Sequence, residues 1–202
     1  MANIHSVFDR HQHQENLHSK LIVALERVSE IFRILLWEKA KNYDLSPLQI
    51  QLLIFVRYHR QEHNKVTFLS QEFNMTKATI SDAIKTLIKK GYLKKNQEVI
   101  DKRSFFYTPT ESGEKITVEL ENFANPLADI TTQFADKQAA DLYGTILKLI
   151  GSAEKRGLIN KQRMCMNCQF YSKQSGKSHC NLLKKSLNVE DLRIDCEEFR
   201  TI

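Results

Sequence analysis

The stretch from Thr76 to Gly91 constrains this chain more than any other. Ile80, Ala83, Ile84, Leu87 and Ile88 recur at i, i+3, i+4, i+7 and i+8, a narrow apolar stripe along one helix. Thr76 is placed to cap that helix, Lys89 and Lys90 suit the negative end of its dipole, and Gly91 supplies a left-handed stop. Just upstream, Thr67 is expected to cap a short helix carrying Leu69 and Phe73, with a turn at Asn74-Met75. Two short helices joined by a tight turn make a helix-turn-helix candidate. Downstream, residues 92–95 and 105–108 are β-prone and flank a polar stretch, which predicts a hairpin. Its tip carries Asp101, Lys102 and Arg103, and Thr110 and Gly113 close it.

The flanking sequence reads as helix. Only 6 Gly and 3 Pro interrupt 202 residues, so long helices form more readily than many short strands. Leu21, Leu25, Val28, Phe32, Leu35 and Leu36 define an amphipathic helix over residues 17–41. Ser46-Pro47 starts another, with Leu48, Leu52, Phe55 and Val56 on its buried face, and a polar link over residues 60–65 ends it. From Glu111 a helix with Ile116, Leu120 and Phe123 runs to Pro126, which divides it from a continuation through Leu127, Ile130 and Phe134. Asp136 is expected to cap a last helix using Leu142, Tyr143, Ile146, Leu149 and Ile150. Apolar faces this long call for a partner.

The formal net charge is +6, with an isoelectric point near 9.1, which favours a polyanionic partner. Between residues 66 and 110, eight Lys or Arg stand against four Asp or Glu. At 100° per residue, the face opposite the apolar stripe presents Ala78, Thr79, Asp82, Lys85, Thr86 and Lys89. Thr76 and Lys77 sit at the N-terminal end, where free N–H groups and the dipole welcome phosphate. Taken alone, such charges describe a solvated helix face. Asp82 either reads a cytosine amino group or pairs with Lys85 or Lys89.

Residues 75–93 together with residues 101–113 resemble the MarR family of regulators. The wing pattern of that family is Asp-x-Arg, about six residues, then Thr-x-x-Gly; here these are Asp101, Arg103, Thr110 and Gly113. Pro109 stands where the family usually has Leu. The resemblance covers about residues 16–156, including the order of the flanking helices. It implies a homodimer built from the first helix and the last two, with the second helix of the motif in the major groove of double-stranded DNA. The wing, with Lys102 and Arg103, would reach the adjacent minor groove. A near-palindromic operator and a small-molecule effector are further expectations.

Residues 1–164 contain no cysteine, and all four lie in the last 38: Cys165-x-x-Cys168, eleven residues, Cys180, fifteen residues, Cys196. In a reducing compartment such clustering suggests a metal more than disulfides. Four thiolates suffice for one tetrahedral zinc, the expected cofactor, and a [4Fe–4S] cluster is the alternative. His179 is a spare ligand, and Phe170, Tyr171 and Phe199 are candidates for a lid. With few apolar residues of its own, this segment needs such a staple to fold. The sequence thus divides into a flexible tail (1–15), a winged-helix DNA-binding and dimerisation domain (16–156) and a four-cysteine metal-binding extension (157–202). The expected fold class is mostly α, a winged helix-turn-helix with a small β-hairpin wing flanked by dimerisation helices, plus the small Cys-rich metal module.

His5, His11, His13 and His18 crowd the N-terminus and His59 and His63 stand at i, i+4; solvated polar histidines fit them better than a metal site. No apolar run approaches the roughly 20 residues of a membrane span, and no signal-like segment opens the chain, so a cytoplasmic protein is expected. No Ser-His-Asp set, phosphate loop or carboxylate pair stands in a recognisable frame, so an enzyme is not expected. Two rival functions remain: a redox or metal sensor whose four-cysteine centre controls DNA release, and an adaptor that uses the winged helix on a protein.

Overall fold

The computed structural model of the chain describes residues 6–10, 15–99, 101–174 and 176–201. His5, His11 and His13, and with them much of the expected tail, lie outside the described residues. Helix α1 (Leu17–Asn42) is capped by Asn16, whose side chain accepts the N–H groups of His18 and Ser19 at 2.8 and 3.4 Å. Helix α2 (Pro47–Tyr58) starts at a full capping box. Ser46 accepts from the Gln49 N–H, the Gln49 side chain accepts from the Ser46 N–H, and Pro47 occupies the first turn.

The helix-turn-helix follows as α3 (Val66–Glu72) and α4 (Lys77–Lys89). Thr67 does not cap α3. The helix begins one residue earlier, behind Lys65, and Ser70 Oγ donates to the Thr67 carbonyl. Asn74 holds the turn at φ +51, a left-handed conformation that Asn tolerates better than most residues. Thr76 caps α4 as expected, accepting from the Thr79 N–H at 3.1 Å, and Gly91 leaves the helix at φ +77. Ile80, Ala83, Ile84 and Leu87 are buried against Ile50, Leu53 and Val56 of α2 and Leu69 of α3 in one core.

Strands β1 (Leu93–Gln97) and β2 (Phe105–Pro109) pair antiparallel, with Leu93 opposite Pro109 and Gln97 opposite Phe105. Pro109 ends its strand, where a missing N–H costs no interior ladder bond. Two devices tie the hairpin to the helices. The Tyr107 N–H donates to the Asn64 carbonyl at 3.0 Å, and the Thr110 N–H donates to the Tyr92 carbonyl at 3.0 Å. Asn64 follows a 3-10 turn (Gln61–His63) inside the link that the sequence left as merely polar. It is 1% exposed, and its Nδ2 donates to the carbonyls of Val56 and His59, which end α2.

Helix α5 (Glu111–Leu120) gives way to a 3-10 turn (Glu121–Ala124) and then to α6 (Asn125–Thr131), which carries Pro126 in its first turn. Pro126 therefore starts a new helix rather than kinking a continuous one, and Phe134 lies beyond its end. Helix α7 (Asp136–Lys155) takes Ala135 at its cap position, with no side-chain bond there, so Asp136 is the first helical residue and not the cap. Beyond α7 stands a small unit that the sequence did not resolve into elements. It holds a 3-10 turn (Cys165–Asn167), a three-stranded antiparallel sheet of β3 (Tyr171–Gln174), β4 (Lys177–Cys180) and β5 (Lys185–Leu187), and a final 3-10 turn (Val189–Asp191). No helix among the described residues is long and apolar enough to cross a membrane.

Candidate nucleic-acid interface and the cysteine module

The outer face of α4 carries Thr76, Lys77, Ala78, Thr79, Asp82, Lys85 and Lys89, all exposed, while Thr86 is half-buried. Thr76 and Thr79 share a hydroxyl hydrogen bond of 2.8 Å. Asp82 pairs with Lys85 at 2.9 Å, one of the two alternatives open from sequence, and Thr86 Oγ1 donates to the Asp82 carbonyl. The hydroxyl and lysine groups of this face thus stand on the side away from the core.

At the wing tip, Asp101 Oδ1 accepts the backbone N–H of Arg103 at 3.0 Å and lies 3.5 Å from its Nε. Asp101 therefore both shapes the turn and orients a guanidinium that is 94% exposed. Lys102 beside it is exposed. The stem is pinned by Lys65 on Glu98 at 2.6 Å and by Lys95 over the Phe105 ring at 3.6 Å. At the base, Thr110 Oγ1 accepts the Gly113 N–H at 3.0 Å, capping α5, and donates to the Gly91 carbonyl. A Cβ at Gly113 would stand 1.9 Å from the Tyr92 carbonyl oxygen. Thr-x-x-Gly thus locks the exit of α4 to the start of α5.

No disulfide joins the four cysteines, which line a single cavity of about 40 Å³ walled by Phe170, Tyr171, Leu182, Leu183 and Leu187. Burial pushes the Cys165 thiol up, the Arg193 N–H partly opposes this, and the other three thiols add to the rise. Among the described residues no three His, Cys, Asp or Glu side chains are gathered so as to hold a metal ion. His179 does not line the cavity; alternation along β4 sends it to the face opposite Cys180. Phe199 is likewise absent from that wall and lines a neighbouring cleft beside α3.

The module is bolted to the helix-turn-helix by residues that the sequence did not single out. Arg163, 7% exposed, lies over the rings of Phe55 and Phe68 at 5.7 and 5.2 Å. Its guanidinium donates to His63 Nδ1 at 3.1 Å, pairs with Glu72 at 3.5 Å and contacts Asp195. Asp195 also meets His59 Nε2 at 2.6 Å, and Arg60 bridges Glu197 and Glu198. Burial opposes charge on His59, yet its bonds to Asp195 and to the Phe55 carbonyl hold it above the ordinary histidine value. Burial and Arg163 push His63 below it. These two histidines are therefore not solvated; their rings stack on Phe55 and Phe68. Lastly, Asn160 reads the turn of the motif: its N–H donates to Asn74 Oδ1 at 3.1 Å and its Nδ2 to the Gln71 carbonyl at 2.9 Å.

Comparison with known proteins bears on the first of these regions. A family profile described as a winged helix DNA-binding domain matches residues 45–113. Curated proteins give no match to the chain. Among solved structures, FabT of Streptococcus pneumoniae in complex with DNA is similar, with TM-score 0.58 and 16% identity over 68% of this chain and 98% of that one. The MepR–DNA complex of S. aureus gives TM-score 0.57 and 16% identity over 64% and 96%. A MarR transcriptional regulator from Methanosarcina mazei Go1 gives 0.52 and 21% over 66% and 97%. At these identities the likeness is one of fold, and about a third of this chain lies outside each alignment.

Proposed function

We propose that this protein is a sequence-specific DNA-binding transcription regulator, not an enzyme, acting as a homodimer on a near-palindromic operator. One observation carries the reading. The exposed hydroxyl and lysine face of α4 and the exposed Arg103 of the wing belong to one hydrogen-bonded unit, on the segment matched as a winged helix DNA-binding domain. The likeness in fold to FabT and MepR, both solved with DNA, supports it.

In this reading α4 enters the major groove. Thr76 and the free N–H groups of the first turn face a phosphate, and Lys77, Lys85 and Lys89 supply the charge that releases counterions. Thr79, Asp82, Lys85 and Thr86 reach toward base edges, and Lys102 and Arg103 reach the minor groove from the wing. Two heads are needed to read a palindrome. The exposed apolar side chains of α1, among them Leu21, Leu25, Val28 and Phe32, with Ile130 of α6 and Leu142 and Leu149 of α7, are the surface on which a second copy would sit. Thr79→Val and Lys85→Ala should change preference among operator variants, as read by competition binding. If each weakens every variant by the same factor, the direct-readout role of α4 is wrong.

A further inference from the structure

We propose that Cys165, Cys168, Cys180 and Cys196 ligate a [4Fe–4S] cluster, and that the loaded module straps α7 to the helix-turn-helix, fixing the DNA-binding head against the rest of the protein. The second half rests on the DNA-binding reading above.

The cofactor class follows from how the thiols are arranged. Four unpaired cysteines from three separate parts of the module, the first 3-10 turn, β4 and the chain's end, face one cavity. A lone zinc binds thiolates at about 2.3 Å and would draw four sulfurs onto one point with no room between them. The cavity they line, about 40 Å³, is roughly three times what one water requires. A cubane takes one thiolate at each of four separate irons, so its ligands stand around a volume rather than a point. The surroundings suit a cluster too. The wall is aliphatic and aromatic, the Arg193 N–H donates to Cys165 Sγ at 3.2 Å, and the Arg193 guanidinium lies 3.9 Å from Cys196 Sγ. Hydrogen bonds to sulfur and an apolar shell are the protein's means of holding and tuning such a centre. The two carboxylates at the rim are already engaged, Asp191 by Lys185 at 2.7 Å and Glu198 by Arg60 at 2.6 Å.

The strap follows from what adjoins the ligands. Arg163 lies two residues before Cys165 and Asp195 one before Cys196, and the Cys196 N–H donates to the Arg163 carbonyl at 3.1 Å. These two side chains carry the contacts to His59, His63 and Glu72 at the back of the motif. On its other side the module grips α7. Tyr143 Oη donates to the Leu192 carbonyl at 2.8 Å, Asn167 to Glu154 at 2.6 Å, and Gly144 lets Val189 approach so closely that a Cβ there would stand 3.1 Å from Cγ1. A segment with few buried apolar side chains of its own holds both grips more firmly once its ligands are tied together.

The test uses the full chain, reconstituted anaerobically with iron and sulfide and compared with the same protein stripped of metal. About four irons and four acid-labile sulfides per chain, in a brown protein, are expected. Loading should slow amide exchange over residues 66–79 and tighten operator binding at least tenfold. Asp195→Asn should keep the iron and sulfide but lose both differences, which separates the strap from folding of the module. One zinc per chain without sulfide, or four freely alkylated thiols after anaerobic reconstitution, overturns the cluster. A full cluster with unchanged exchange and unchanged affinity overturns the strap. Should no form bind DNA, the regulator reading alone fails, because iron, sulfide and exchange still decide the cluster and the strap.

Discussion

Gly113 shows how a short motif is enforced by space. Its missing Cβ lets α5 seat on the Tyr92 carbonyl, so Gly113→Ala must push backbone against backbone. We expect a loss of about 1–3 kcal/mol or more in urea unfolding, since no flexible side chain is there to yield. Arg103 is the opposite case, an almost wholly exposed side chain with no structural burden. Arg103→Ala should leave unfolding unchanged, weaken binding to all DNA sequences by a similar factor, and reduce the salt slope by about one. A change confined to some sequences would assign Arg103 to base reading instead. Both residues could be singled out from sequence because Asp-x-Arg and Thr-x-x-Gly are local. Arg163, Asn160 and Asp195 could not, because each matters through a contact some 86 to 136 residues away in the chain, which no spacing reveals.

Among elements, helices with side-chain signals at their starts were legible. Ser46 and Thr76 are caps with oxygen atoms at the right place, and the stripe from Ile80 to Leu87 buries as its period requires. Thr67 and Asp136 misled because a hydroxyl or carboxylate near a helix start need not be the residue that caps it; Lys65 and Ala135 hold those positions through backbone geometry alone. The sheet β3–β4–β5 escaped since its strands are three or four residues long and mostly polar, without the alternation that marks a half-buried strand. Asn64 escaped for a related reason: a polar residue in a polar link looks solvated, whereas here it joins the end of α2 to the wing. Asn64→Ala leaves the Val56 and His59 carbonyls without their donor and should cost about 1–3 kcal/mol. Chemical denaturation measures this, and a change well under 0.5 kcal/mol would mean that water replaces the amide at no cost.

At the scale of the whole molecule, a hydrophobic core gathers around α2 and α4, while the N-terminal two-thirds of α1 is lined with exposed apolar side chains. Leu25→Asp combined with Val28→Asp should turn a dimer into a monomer at micromolar concentration in light scattering, and an unchanged mass would move the interface elsewhere. Under the proposals above, dimerisation and the cluster would each shape how the heads meet DNA, while the winged helix would read its sequence. The most direct measurement is selection of bound duplexes from a random DNA pool by the full-length protein, followed by titration of the enriched site across salt concentrations. We expect an enriched inverted repeat with half-sites about one helical turn apart, bound with an affinity that falls steeply as salt rises. A pool that stays random, with binding indifferent to salt, would contradict it.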